Sequence, residues 1–230
     1  MAKFSKKIVY IVLALLILSL CSCASYSSLN SAESDAVVNV IQIKEGYFFD
    51  GPGSDYALIF YPGGKVQDVA YADLLRNISQ KGVDCFLVHM PLDLAMFGYN
   101  RADGIMQSYD YDHWYIGGHS LGGVFACYYA KDKASDFDGI VLLASYTSKD
   151  LSDTDLDILL LYGSEDKVLN EGAIEKSKPK MPASYTEVCI EGGNHAQFGD
   201  YGNQKGDGEA LISSAEQKRL ASELIADFIL

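Results

Sequence analysis

Apolar runs of strand length recur along most of the chain: Tyr56–Tyr61 (YALIFY), Cys85–His89 (CFLVH), Trp114–Ile116, Gly139–Ala144 (GIVLLA), Ile158–Tyr162 (ILLLY) and Tyr185–Ile190 (YTEVCI). They are nearly continuous in hydrophobicity rather than alternating, as expected of strands covered on both faces of a parallel sheet. Helical patterns fall between several of them. Val69–Lys81 follows the first run, and Leu121–Lys131 follows WYIGG. The chain ends in SSAEQKRLASELIADFIL, where Leu220, Leu224 and Phe228 recur on one helical face. Strands alternating with helices predict an α/β fold: an open, mostly parallel, doubly wound sheet with helices on both faces. Val38–Ile43 and Tyr47–Gly51 read as an antiparallel opening to that sheet. In such sheets ligands sit where the carboxyl ends of the strands meet their loops.

The N-terminus departs from this pattern. Lys3, Lys6 and Lys7 precede thirteen uncharged residues, Ile8 to Leu20. That run is short for a membrane span and typical of the h-region of a signal peptide. It ends in Leu20-Cys21-Ser22-Cys23, which resembles the bacterial lipobox. The resemblance implies that residues 1–22 are removed and that Cys23 carries a lipid, anchoring the protein at the extracytoplasmic face of the cell membrane. An uncleaved signal anchor is the alternative, and it too places the domain outside the cytosol. Residues 23–36, small and polar, are expected as a flexible spacer before one domain at 37–230.

Charge narrows the partners. The formal net charge is −13, and removing the leader takes away three lysines and no acids, leaving 15 − 31 = −16. That balance argues against nucleic acid as a partner and against a basic patch binding anionic lipid. Cys85, Cys127 and Cys189 fall singly in apolar runs and are expected as buried free thiols. No zinc-ligand spacing occurs after the leader, and neither a metal nor an organic cofactor is expected.

The candidate chemistry centres on GGHSLGG, Gly117–Gly123. Four glycines in seven residues weaken strand and helix alike, so Ser120 must need the backbone they permit. A G-x-S-x-G pattern between a strand and a helix is the setting of a nucleophile elbow, whose sharp turn presents the serine hydroxyl to the cleft. A lone hydroxyl is a poor nucleophile and needs a base, which needs an orienting group. Of four histidines, His195 lies in the glycine-rich loop after the last strand run and is the candidate base; His89, His113 and His119 read as structural. The acid falls between serine and histidine in chain order. Asp166 of GSEDKV is the candidate, with Glu165 as the fallback. An oxyanion would be held by the amide of Leu121, at the start of a helix. The second donor would come from YPGGKV: Gly64, with Lys65 as the alternative.

Together, YPGG (Tyr61–Gly64), GGHSLGG (Gly117–Gly123), GSED (Gly163–Asp166) and GGNHAQFGDYG (Gly192–Gly202) resemble a compact, lidless group of the α/β-hydrolase superfamily. The resemblance covers about Tyr56–Leu230 and implies a serine hydrolase acting on a small-molecule ester or related acyl substrate. Tyr61-Pro62 stands where many members have His-Gly. A serine peptidase or acyltransferase using the same triad, and a binding lipoprotein without catalysis, are the other readings. Only Thr147–Asp157 separates two strand runs where many members insert a lid, so no large cap is expected. Met96, Phe97 and Phe198 are candidate pocket walls.

Overall fold

A computed structural model describes residues 25–53 and 55–230; the leader and Cys23 lie outside the described residues. Eight strands form one sheet in the order β1-β2-β4-β3-β5-β6-β7-β8. They are β1 (Asn39–Ile43), β2 (Gly46–Asp50), β3 (Tyr56–Tyr61), β4 (Asp84–Val88), β5 (His113–His119), β6 (Gly139–Leu143), β7 (Asp157–Gly163) and β8 (Thr186–Ile190). Strand β2 pairs antiparallel with both β1 and β4, and every other pairing is parallel. The helices are α1 (Ala72–Ser79), α2 (Ala102–Ser108), α3 (Leu121–Lys131), α4 (Glu171–Ser177) and α5 (Ser214–Ile229).

The apolar runs are continuous because the sheet is covered twice. Leu58 and Phe60 of β3, with Val141 and Leu143 of β6, join the core under α1 and α5. The intervening Ala57, Ile59, Ile140 and Leu142 join a second core with residues of α2, α3 and α4. Successive side chains point to opposite faces, so both sets must be apolar. Between β6 and β7 the chain forms no helix, and among the described residues there is no large cap domain. Among the described residues, no helix is long and apolar enough to cross a membrane.

Three expectations are corrected. The buried face of α5 is centred on Ala221, Ile225 and Ile229, and Leu220, Leu224 and Phe228 only flank it. That face is innermost because α5 packs against α1 and the sheet at once. Cys85 and Cys127 are buried free thiols, but Cys189 is exposed because β8 is an edge strand. From Ser25 onward, the segment expected as a flexible spacer is laid against the domain. The Tyr26 amide donates to the Lys65 carbonyl at 2.6 Å, and the Leu29 amide to the Asp200 carbonyl at 2.7 Å. Asn30 Nδ2 donates to Asp73 at 2.7 Å and to Asp200 at 2.9 Å. The short side chains of Ser25 and Asn30 hydrogen-bond the domain directly.

Candidate active site

Strand β5 hands the chain to α3 through Ser120, whose φ of 52° and ψ of −121° are strained for a residue bearing a Cβ. The turn is held by its neighbours. The Ser120 amide donates to the Leu143 carbonyl at 2.9 Å, and the Ser145 hydroxyl donates to the Ser120 carbonyl at 2.7 Å. A Cβ on Gly122 would sit 2.2 Å from the Tyr61 carbonyl oxygen and 2.4 Å from that of Pro62. The elbow glycines thus let α3 start directly against the end of β3.

Asp166 and His195 meet because the loops after β7 and β8 zip together. The Ser164 amide donates to the Ile190 carbonyl at 3.1 Å and the Glu165 amide to the Gly193 carbonyl at 2.8 Å. A Cβ on Gly163 would come within 2.2 Å of the Gly193 oxygen, so this approach requires glycine. Beyond it, Asp166 Oδ2 lies 2.8 Å from His195 Nδ1, with both side chains only 2 % exposed. The amides of Val168 and Leu169 donate to Asp166 Oδ1 at 2.9 and 2.8 Å, which fixes the carboxylate. Glu165 instead accepts a hydrogen bond from Ser164 Oγ.

An ionised carboxylate can only accept, so this network assigns the proton to Nδ1 and leaves the Nε2 lone pair bare. Nε2 is buried and accepts no hydrogen bond from any described residue, Ser120 included. His195 and Ser120 line one cavity of about 200 Å³, whose walls include Leu121, Val124, Ala144, Tyr146, Val168 and Leu169. A larger cavity of about 640 Å³ lies where the strands begin, and its His113–Asp138 pair superficially resembles this one. That pair is separated by 3.2 Å with both side chains 44 % exposed, and no strained serine accompanies it. Geometry, not volume, selects the site.

The two oxyanion candidates in YPGGKV separate clearly. The Lys65 amide is already committed to the Asp93 carbonyl at 2.7 Å. The Gly64 amide donates no hydrogen bond among the described residues, and Gly64 abuts the Leu121 side chain. Gly63 is held from behind: its amide donates to the Tyr71 hydroxyl at 3.0 Å.

The pocket expectation is corrected. Met96 and Phe97 are 50 % and 54 % exposed and do not line the cavity, because the 3₁₀ turn Ala95–Phe97 buries Ala95 and turns the larger side chains outward. Phe198 is fully buried, its ring 5.8 Å from that of His119, because the 3₁₀ turn after His195 folds it into the core.

Tyr71, Gln217 and Asp207 escaped the sequence reading, whereas His119 was read as structural. His119 is buried, its Nε2 lying 3.1 Å from the His195 carbonyl and its Nδ1 2.7 Å from the Tyr71 hydroxyl. A carbonyl only accepts, so Nε2 carries the proton and Tyr71 donates to Nδ1. Burial, then proximity to His195, holds the His119 pKa well below its ordinary 6.5, and burial raises that of Tyr71. Gln217 of α5 accepts from the Asn194 amide at 2.9 Å and donates to the Asn194 carbonyl at 2.8 Å. A glutamine in register with Ala221 and Ile225 was the one signal available for it. Asp207 accepts from the amides of His195 and Ala196 at 3.3 and 2.9 Å. Among the described residues, no group of three or more His, Cys, Asp or Glu converges as a metal site.

A strand-elbow-helix serine and a buried His–Asp pair at the carboxyl edge of a mostly parallel sheet define the architecture of an α/β hydrolase. Residues 57–219 match the alpha/beta hydrolase family model, and the chain belongs to that family. No curated protein matches it. Among solved structures, it is similar to dienelactone hydrolase from Anabaena variabilis ATCC 29413, with a TM-score of 0.63 at 14 % identity, over 84 % of this chain and 99 % of that one. Est1E from Butyrivibrio proteoclasticus gives a TM-score of 0.57 at 11 % identity over 84 % and 99 %. A "predicted CIB-like hydrolase" from Thermoplasma acidophilum gives 0.56 at 15 % identity over 83 % and 97 %. At these identities the likeness is one of fold.

Proposed function

We propose that the protein is a serine hydrolase that cleaves a carboxylic ester through an acyl-enzyme. The observation that carries this reading is the buried Nε2 of His195, without a hydrogen-bond partner among the described residues, held by Asp166 and sharing a cavity with the strained Ser120. In the first step Ser120 Oγ bonds to the ester carbonyl carbon and its proton passes to His195 Nε2. The negative charge on the carbonyl oxygen is met by the amides of Leu121 and Gly64. Asp166 stabilises the imidazolium and keeps its orientation. Collapse breaks the bond to the alcohol, which leaves with the proton from Nε2. Water then attacks the acyl-enzyme by the same route, releasing the acid and restoring Ser120. Hydrogen bonds of this kind are often long without substrate and tighten in the reacting complex. A cavity of about 200 Å³ suits a small acyl group. Est1E, which shares the fold, has been solved with ferulic acid bound, an organic acid of the kind an esterase releases.

We further propose that Cys23 is lipidated and holds the enzyme at the extracytoplasmic face of the membrane, on the strength of the lipobox-like LCSC. A fluorophosphonate probe tests the catalytic reading: wild type labels, and Ser120→Ala and His195→Ala do not. Folded wild type that fails to label would refute it. A panel of p-nitrophenyl esters and peptide amides then measures ester preference.

A further inference from the structure

We propose that Leu92, Met96 and Phe97 form a membrane-contacting knuckle, seated on the lipid bilayer to which the N-terminus tethers the chain. This rests on the proposed membrane attachment. The three side chains are 71 %, 50 % and 54 % exposed within six consecutive positions. The backbone is bent to present them: Leu92 and Asp93 hold φ values of 57° and 54°, which cost energy for residues other than glycine.

What covers the knuckle follows from where the described chain enters. The Ser25 hydroxyl donates to the carboxylate of Asp93, inside the knuckle itself. The next residue is fixed beside it, with the Tyr26 amide on the Lys65 carbonyl and the Gln67 amide on the Tyr26 carbonyl at 3.1 Å. Cys23 lies two residues before Ser25 in the sequence, a reach of about 7 Å at full extension. Leu20, the end of the strongly apolar run, lies five residues before it, a reach of about 17 Å. A lipid on Cys23 or a retained signal anchor would therefore bring the bilayer to the same place. Lys65, whose Nζ is 3.5 Å from the Leu92 carbonyl, adds a cation at headgroup depth.

A second copy of the chain fits less well. A stable protein interface buries roughly 800 Å² on each partner, more than three side chains provide. A tethered surface needs far less, because the tether makes the encounter intramolecular. The knuckle is also tied to the proposed oxyanion loop: the Asp93 carbonyl accepts from the Lys65 amide, next to Gly64. Membrane contact would thus seat the cleft close to the bilayer.

The test uses the full chain in phosphatidylcholine vesicles, with and without dibrominated phosphatidylcholine. Phe97→Trp adds a reporter to a protein whose single tryptophan, Trp114, is buried. The new tryptophan should shift to the blue and lose emission as the bromolipid fraction rises, while wild-type emission stays constant; Leu92→Trp, at a more open position, should do the same. No quenching in chains that float with the vesicles overturns the knuckle while leaving the tether intact. A blue shift without bromolipid quenching assigns the surface to a protein and overturns it too. Chains that do not float refute the attachment, and the knuckle with it.

Discussion

The Tyr71 hydroxyl lies 2.7 Å from His119 Nδ1, and through this contact the two loops that flank Ser120 are joined. Tyr71 accepts from the Gly63 amide on one side, and His119 donates to the carbonyl of His195 on the other. One hydroxyl and one imidazole therefore set the spacing between the proposed oxyanion loop and the proposed base. In Tyr71→Phe the Gly63 amide and the His119 nitrogen both lose their partner inside the protein, at about 1–3 kcal/mol for each buried group left unpaired. Kinetics on a soluble p-nitrophenyl ester should show kcat reduced roughly tenfold or more with KM little changed, the signature of lost transition-state stabilisation. Unchanged kcat in a folded variant would show that the relay does not position the site.

Asp166→Asn keeps a side-chain oxygen for the amides of Val168 and Leu169 and removes only the charge beside His195. The amide group can donate to Nδ1, which moves the ring proton to Nε2 and, on the proposed mechanism, leaves no base for Ser120. A fall in kcat of about 10⁴ is expected, as for the corresponding change in serine proteases. Fluorophosphonate labelling followed over hours should slow in step, while the thermal midpoint moves little.

Stability should fall on mild acidification because of His119. Its folded pKa is depressed, so the unfolded chain binds a proton that the native protein refuses. The contribution is complete above the ordinary value of 6.5 and is lost as pH falls below it towards the depressed folded value. One such group gives at most about 1.4 kcal/mol per pH unit. Thermal melts between neutral pH and mild acid should show this slope in wild type and a shallower one in His119→Gln. Equal slopes would exclude His119 as the cause.

Gly122→Ala should fail for a reason separate from chemistry. The added methyl would meet two backbone carbonyl oxygens, at 2.2 and 2.4 Å, and neither can move without breaking the end of β3. A loss of about 3 kcal/mol or more is expected. At Gly64 the nearest atom is the flexible end of Leu121, 2.9 Å away, so Gly64→Ala should melt close to wild type while losing activity.

How much of this was legible depended on whether the cause was local. YALIFY became β3 without adjustment, and the elbow glycines were readable because one turn explains them. Asp166 and His195 were readable from chain order, since this fold brings the ends of β7 and β8 together. Tyr71 and Gln217 were not, because each acts across contacts distant in sequence. Phe198 and Phe97 look alike as letters, yet one is buried and the other exposed. The segment at 25–36 reads as a linker by composition, while Asn30 and Asp35 serve there as specific hydrogen-bonding groups.

That segment supplies the last prediction. Lys218, with a side chain 6 % exposed, sits between Asp200 and Asp73, the same two carboxylates that hold Asn30. Lys218→Met removes the cation from Asp200, while Asp73 keeps its ion pair with Arg76 at 2.7 Å. Breaking a fully buried pair costs about 3–5 kcal/mol. Asp73 is 37 % exposed, so solvent screens part of that loss and roughly 2 kcal/mol is expected. For a chain of this size that is a drop of about 4–8 °C in the thermal midpoint. Limited proteolysis should become faster within residues 25–36, because Asn30 loses the charge-balanced partners that hold it. Asn30→Ala should open the same segment to protease while leaving the Lys218 ion pairs, and so most of the midpoint, in place. If Lys218→Met lowers the midpoint without changing cleavage there, the cluster stabilises α5 alone and the segment is held by its backbone bonds to Lys65 and Asp200.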